Sequence, residues 1–460
     1  MRQVDFEHGP VGRNMVQSAL PMLVAQLFAL LYNIVDRIFL GRIPGEGTMA
    51  LAGVGLCFPL VILTIGFANL FGTGGAPLFS IALGAKDRES AKHIQTTAFL
   101  LLSGAALVIT VVGLLFSRPF LLLFGASEAT LPYALPYLRI YLLGTFFSMV
   151  VTGMNPFINA QGYTGFGMLT VSIGALLNVA LDPVFIFALH LGTSGAAIAT
   201  VISQFVSAVL VLWYLRRRCE LRLTVHRPRD FATVAKNITS LGTAGFIMAV
   251  TNALVTLSCN SVLSRFGGDL YVSIMTILAS VRQFVDVPAL AVSEGTSPVM
   301  SYNYGAERPG NVRKAIRLMT IANLTYTLAI WLFILWKPQW FIGIFTNDKT
   351  ILADAIPALH LYFFAFIGQG LQYCGQTTFK ALNKKRQAIF FSLFRKAIIV
   401  IPLTYLLPHL FGLGTDGVFM AEPVSNVVGG TACFVTMMLT VWRELGRAEK
   451  RQREAAEHPE

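Results

Sequence analysis

Long apolar runs separated by short polar connections fill the chain from end to end. Twelve such runs fall at residues 15–40, 49–82, 93–116, 131–155, 166–188, 192–215, 236–262, 270–302, 314–337, 354–378, 386–408 and 414–442. Each reaches about 20 residues or more, enough for a helix to cross a hydrocarbon core of roughly 30 Å. None alternates apolar and polar positions as a barrel strand must. A bilayer offers the backbone no water, so the pattern predicts twelve membrane-spanning helices. Prolines 21, 59, 77, 183, 288, 298, 357, 402 and 423 lie inside these runs, and each deletes one backbone hydrogen bond and kinks its helix. With Gly66, Gly72, Gly74 and Gly75 they are expected to make spans 2 and 8 bendable.

The runs also repeat. Residues 74–85 (GGAPLFSIALGA) return at 295–306 (GTSPVMSYNYGA), with Pro77 and Pro298 fixing a spacing of 221. Residues 192–203 (GTSGAAIATVIS) return at 414–425 (GTDGVFMAEPVS) at a spacing of 222. The chain reads as two copies of one six-span unit, an organisation common among transporters. The predicted fold is all-α: two six-helix lobes in one topology, related by a pseudo-twofold axis along the membrane normal. The expected divisions are an N-terminal lobe at 1–215, a basic cytoplasmic linker at 216–235, a C-terminal lobe at 236–442 and a cytoplasmic tail, read as a frayed helix, at 443–460.

With 55% hydrophobic and 13% charged residues among 460, a water-soluble domain is excluded. Of the 35 basic residues, 25 fall in the connections on the side of both termini, and five (Arg42, Arg118, Arg265, Lys337 and Lys349) fall opposite. The positive-inside rule therefore places both termini in the cytoplasm. The net charge of +12 is explained by these loops facing anionic lipid, so membrane lipids rather than nucleic acid are the expected partners. No cleavable signal peptide is evident, since the first apolar run is too long for one. The five scattered cysteines have no metal or disulfide spacing and are expected to pack.

A carboxylate in mid-membrane costs about 2.5–3.5 kcal/mol on insertion scales, so each ionisable residue inside a span needs a partner or a task. Asp182 on span 5 has Asn178 one turn before it, on the same face. With Asp36 on span 1 and Thr200 on span 6, four side-chain oxygens could surround Na⁺, or the two acids could share a proton. The plainer alternative pairs Asp36 with Arg37 and has Asp182 cap the break at Pro183. The second half offers another polar set: Arg282, Asp286 and Glu294 on span 8, Arg395 and Lys396 on span 11, and Glu422 on span 12. Arg282 and Asp286, four apart, can neutralise one another. Arg395 and Lys396 either snorkel toward the cytoplasm or form a cationic patch facing substrate. By the repeat spacing Glu422 stands where Thr200 stands in the first half, so the halves differ chemically. No phosphate-binding loop motif is present, which leaves an ion or substrate gradient as the energy source.

The segments Ala19-Leu20-Pro21, Tyr32-Asn33-Ile34-Val35-Asp36 with Gly41, GGAPLFSIALGAKD at 74–87 and SYNYGA at 301–306 together resemble the multidrug and toxic compound extrusion (MATE) family over essentially the whole chain. The resemblance implies twelve helices in two lobes and Na⁺- or H⁺-coupled export. Members with a cation site in the first lobe use an Asp on helix 1, an Asn and an Asp on helix 5 and a Thr on helix 6, which carry over to Asp36, Asn178, Asp182 and Thr200. It also makes Pro21 a hinge candidate. Some members use acids on helices 7 and 10, and those spans are read here as lacking them, which favours coupling through the first lobe.

The expected function is a secondary active antiporter of the bacterial inner membrane, not an enzyme. It would export amphipathic small molecules in exchange for H⁺ or Na⁺, as a monomer without cofactor. A flippase for lipid-linked saccharides, kept alive by Arg139, Arg282 and Arg395, is the alternative.

Overall fold

Duplication at the level of sequence becomes duplication of backbone turns. The computed structural model describes residues 3–225, 228–344, 349–410 and 412–457. Residues 226–227 of the basic linker, 458–460 of the tail and the side chain of Lys349 lie outside the described residues. Helix is the only regular secondary structure among the described residues.

The spanning helices of the first half are α1 (Val11–Gly41), α2 (Phe58–Gly84), α3 (Arg88–Leu115), α4 (Leu131–Leu143 and Thr145–Ala160), α5 (Thr164–Ala188) and α6 (Gly192–Arg217). Those of the second are α7 (Phe231–Gly268), α8 (Leu270–Gly305), α9 (Pro309–Trp336), α10 (Ile351–Tyr362 and Ile367–Ala381), α11 (Lys385–Leu406) and α12 (Gly414–Glu457). Every predicted span coincides with one of them.

Three details differ from the sequence pattern. The run predicted at 49–82 contains a separate short helix, Gly47–Gly55, before α2; Pro59 therefore stands in a first turn, where its missing N–H costs no helical bond. Helices α4 and α10 are bent by 54° and 47° at internal breaks. The tail is not frayed: α12 continues to Glu457 because its acids meet basic side chains at the start of α9 and just before α11. Arg313 pairs with Glu449 at 2.7 Å and lies over the Trp442 ring, and Lys384 pairs with Glu444 at 2.7 Å.

The turns that close corresponding helices match between the halves. The amide of Asp87 bonds the Ala82 carbonyl and that of Arg308 bonds the Asn303 carbonyl, both at 2.9 Å, across Lys86 and Glu307 in left-handed backbone (φ 60° and 53°). This six-to-one closure is a helix C-terminal motif that ordinarily uses glycine. Left-handed positions recur likewise at Gly162 and Asn383, His190 and Gly412, and Gly192 and Gly414, all 221 or 222 apart.

The chain forms two compact units, one of Met1–Asp5 with Leu20–Phe246 and the other of Phe6–Ala19 with Ile247–Glu460. The start of α1 thus belongs to the second unit, where Gly295 of α8 meets the Ala19 backbone so closely that a Cβ would lie 2.5 Å from it. The start of α7 belongs to the first unit, with Gly242 against the Leu70 carbonyl of α2. Small residues let membrane helices approach to backbone contact, since between lipid-bathed helices packing rather than water exclusion drives association. The basic stretch after α6 begins as a packed strap: Leu221 and Leu223 are buried in the first unit, and Gln161 holds the Leu221 backbone on both sides. All five cysteines are free and buried. Outward, α3 exposes Leu107, Val108, Val111 and Leu115, a face suited to acyl chains rather than water.

Asp87 caps α3 by accepting from the Ser90 amide at 3.0 Å, and the Ser90 hydrogen bonds hold its carboxyl below the usual range. Its stabilisation is complete above the ordinary carboxylate pKa and disappears as pH falls through the lowered folded value. Asp87→Ala should therefore cost about 1 kcal/mol near neutrality and progressively less in acid. Thermal unfolding of the detergent-solubilised chain reads this, and a penalty independent of pH would refute it. At the left-handed position 86, stability should rank glycine, then lysine, then valine, with Lys86→Val costing about 1–2 kcal/mol in the same assay.

Candidate functional site

In the first unit the polar set sits where α5 and α6 touch. A Cβ on Gly195 would lie 2.6 Å from the Phe185 backbone, and one on Gly174 would lie 2.3 Å from the Ser207 hydroxyl, so both glycines permit the approach. Gly174, Asn178 and Asp182 are spaced by four and share one face of α5, which directs the latter two at α6. Asn178 Nδ2 donates to Asp182 Oδ1 at 3.3 Å and to the Thr200 hydroxyl at 3.4 Å. Asp182 is completely buried. It stands immediately before Pro183 and a π-helical turn at Val184–Ala188, where the helix ladder is already interrupted.

Asp36 approaches from α1, within electrostatic reach of Asp182 and of Tyr137 on α4. Its neighbour Arg37 lies over the Phe58 ring, 5.0 Å from the centroid, still within electrostatic reach of Asp36, and no ion pair joins the two among the described residues. The structure thus brings Asn178, Asp182 and Thr200 into hydrogen-bond distance, with Asp36 within electrostatic reach of Asp182.

Asp36 Oδ1, Asn178 Oδ1 and Asp182 Oδ2 are buried with no hydrogen-bond partner. All three are acceptors. Buried acceptors left unpaired are costly, and the species that satisfy them are a proton on a carboxyl, a water or a hard cation. Oxygen-only donors suit Na⁺ or H⁺. No group of three or more His, Cys, Asp or Glu able to hold a metal occurs among the described residues, so a Na⁺ ion here would depend on the amide and hydroxyl oxygens as well. Pro21 lies inside α1, two residues after the point where the helix passes from one unit to the other.

A second polar set lies in the second unit. Glu422 on α12 is held between two cations, 2.9 Å from Arg282 Nη1 and bonded also by the Lys396 ammonium. Arg282 further pairs with Asp286 at 3.5 Å and donates to Gln369 Oε1 at 3.0 Å and to the Tyr362 hydroxyl at 3.3 Å. Arg395 donates to Gln369 and, at 2.8 Å, to Asn426 Oδ1. Arg395 and Lys396 are 7% and 6% exposed, so neither snorkels to the surface.

The geometry has local causes. Gly368 and Gly430 allow α10 and α12 to meet backbone to backbone, which brings Gln369 and Asn426 together. Two π-helical turns, Phe394–Val400 and Asn426–Gly430, present Arg395, Lys396 and Asn426. Glu294 stands apart from this cluster: it is exposed, and its electrostatic neighbour is Lys380. Two turns of helix separate it from Asp286, too far to share partners. Span 10 also holds one acid after all, Asp354, in the first half of the Ile351–Tyr362 segment of α10.

Gln369 and Asn426 escaped the sequence reading because a neutral amide raises no alarm in a hydropathy scan. The spacing of Gln369, Gln372 and Gln376 along one face of a membrane helix was the available signal, and all three are buried.

A MatE family model matches residues 21–184 and 244–406, one copy in each half. The chain is 26% identical over 442 residues to "Multidrug export protein MepA" of Staphylococcus aureus (strain N315), covering 95% of both chains, and 25% identical over 438 residues to the protein of that name from Staphylococcus haemolyticus (strain JCSC1435), covering 95% and 94%. It shares its fold with a structure described as the outward-facing conformation of a multidrug resistance MATE family transporter of the MOP superfamily (TM-score 0.89, 23% identity, 98% and 99% coverage). The fold is likewise that of a MOP superfamily transporter from Pyrococcus furiosus Vc1 (DSM3638), at TM-score 0.89, 23% identity and the same coverage. Duplicated six-helix units, their matching turns and the two matched halves together establish that the chain belongs to the MatE family, the transporters its motifs resemble.

Proposed function

We propose that this protein is a secondary active antiporter that exports amphipathic organic compounds in exchange for H⁺ or Na⁺ by alternating access of its two units. It acts as a transporter rather than an enzyme, in the bacterial inner membrane, as a monomer with both termini cytoplasmic. The observation that carries the coupling role is the trio of unpaired buried oxygens on Asp36, Asn178 and Asp182. Two carboxyls in one low-dielectric site resist simultaneous ionisation, so the site is inclined to take up a proton or a cation and to release it when its surroundings change. One charge crossing 100 mV releases about 2.3 kcal/mol, enough to sustain a useful substrate ratio. The names of the MepA relatives support export of drugs over the flippase alternative. Pro21 is the bending point in this scheme.

In proteoliposomes with an imposed pH or Na⁺ gradient, Asp36→Asn and Asp182→Asn should each abolish gradient-driven movement of a cationic dye while inserting normally. Undiminished transport by either variant would remove the coupling role, and the gradient that drives the wild-type chain identifies the ion. For orientation, a C-terminal green fluorescent protein fusion should fluoresce and a C-terminal alkaline phosphatase fusion should be inactive, and the reverse pair would invert the assignment.

A further inference from the structure

The polar cluster of the second unit does not balance its charge. Arg282, Arg395 and Lys396 bring three positive charges, whereas Glu422 and Asp286 bring two negative ones. Arg395 is the cation left over. Its contacts are the neutral oxygens of Gln369 and Asn426, and no carboxylate lies within ion-pair distance of it among the described residues. A charge withdrawn from water without a counter-charge is poorly tolerated, and an arginine's planar fork is shaped to receive a two-oxygen anion. Beside it the Asn426 amide nitrogen is buried with no acceptor, although Asn426 is 1% exposed. A donor without an acceptor next to a cation that shares the field of Glu422 and Asp286 but has no carboxylate of its own in ion-pair contact calls for the same missing group: an anionic oxygen.

We propose that Arg395 and the Asn426 amide form an anion subsite in the second unit that takes the carboxylate, or a comparable oxyanion, of an acidic or zwitterionic amphipathic substrate. Glu422, already clamped between Arg282 and Lys396, is the chain's own anion beside that subsite and competes for the same positive field. Removing its charge leaves the cluster more positive and strengthens the hold on an external anion; removing Arg395 weakens it. Gly429 leaves room for the Arg395 stem, since a Cβ there would come within 3.0 Å of it. As the site of a transported compound the subsite rests on the antiporter reading, whereas the binding itself does not.

The test titrates benzoate, a minimal amphipathic carboxylate, into the purified full-length chain in nanodiscs of zwitterionic lipid and reads binding by calorimetry. Saturable binding is expected, weakened by about tenfold or more in Arg395→Gln, the loss of one charge-assisted contact. Arg395→Lys should lie between, and Glu422→Gln should tighten binding, a gain that a misfolded protein cannot produce. Lys92→Gln, which removes an exposed cytoplasmic charge, should bind benzoate as the wild type does. Nanodiscs doped with phosphatidylglycerol decide the source of the anion: competition between that lipid and benzoate at the Arg395-dependent site assigns the subsite to a lipid phosphate and overturns the substrate assignment. Absence of binding, or affinities equal across the Arg395 and Glu422 variants, overturns the subsite altogether. Failure of the two readings is separable: lost benzoate binding with intact gradient-driven dye efflux sinks only the subsite, and benzoate binding in a chain that moves no dye against a gradient sinks only the antiporter.

Discussion

Moving a charged or polar group out of water is expensive unless the protein supplies what the water supplied, and this requirement organises the molecule at every scale. It forces the backbone into helices. It also forces ionisable side chains into a few shared locations, and the two units meet it differently. In the first, two carboxyls, an amide and a hydroxyl gather with no ion pair among the described residues, leaving acceptors in need of a proton or cation. In the second, a carboxylate is clamped between two cations, and the surplus cation is met by amides. One site lacks positive charge and the other lacks negative charge.

A duplicated scaffold carries this asymmetry. The turns at Lys86 and Glu307, at Gly162 and Asn383, and at Gly192 and Gly414 retain one backbone conformation although their side chains have diverged. Turn geometry is fixed by helix closure and tolerates any residue able to bear the left-handed backbone. The facing positions inside each bundle are under no such constraint, so Thr200 and Glu422 could part ways while the helices stayed in register. Close approaches at glycine do the positioning in both halves: α5 against α6 through Gly174 and Gly195, and α10 against α12 through Gly368 and Gly430. A side chain at any of these positions would move the polar groups before it touched them.

Three of the four π-helical turns among the described residues stand at the same places. The π-helical turn after Asp182, the one holding Arg395 and Lys396 and the one beginning at Asn426 each rotate side chains away from the regular 3.6-residue spacing.

The sequence by itself determined the twelve spans, the duplication, the one-turn pairing of Asn178 with Asp182 and the Arg282 to Asp286 pair, because hydropathy, repeat spacing and one-turn spacing along a helix are all local quantities. It misjudged whatever depended on distant neighbours. The tail after Arg443 reads as frayed until Arg313 and Lys384 are seen to grip its acids; Glu294 reads as part of the second cluster until Lys380 is seen to be its electrostatic neighbour. Only the tertiary structure decided that Arg395 is met by Gln369 and Asn426 rather than by an acid in ion-pair contact, and that Arg37 lies over Phe58 without an ion pair to Asp36. The reason is physical: whether a buried charge is paired depends on which helices touch and at what height, and that is fixed by packing between segments far apart in the chain.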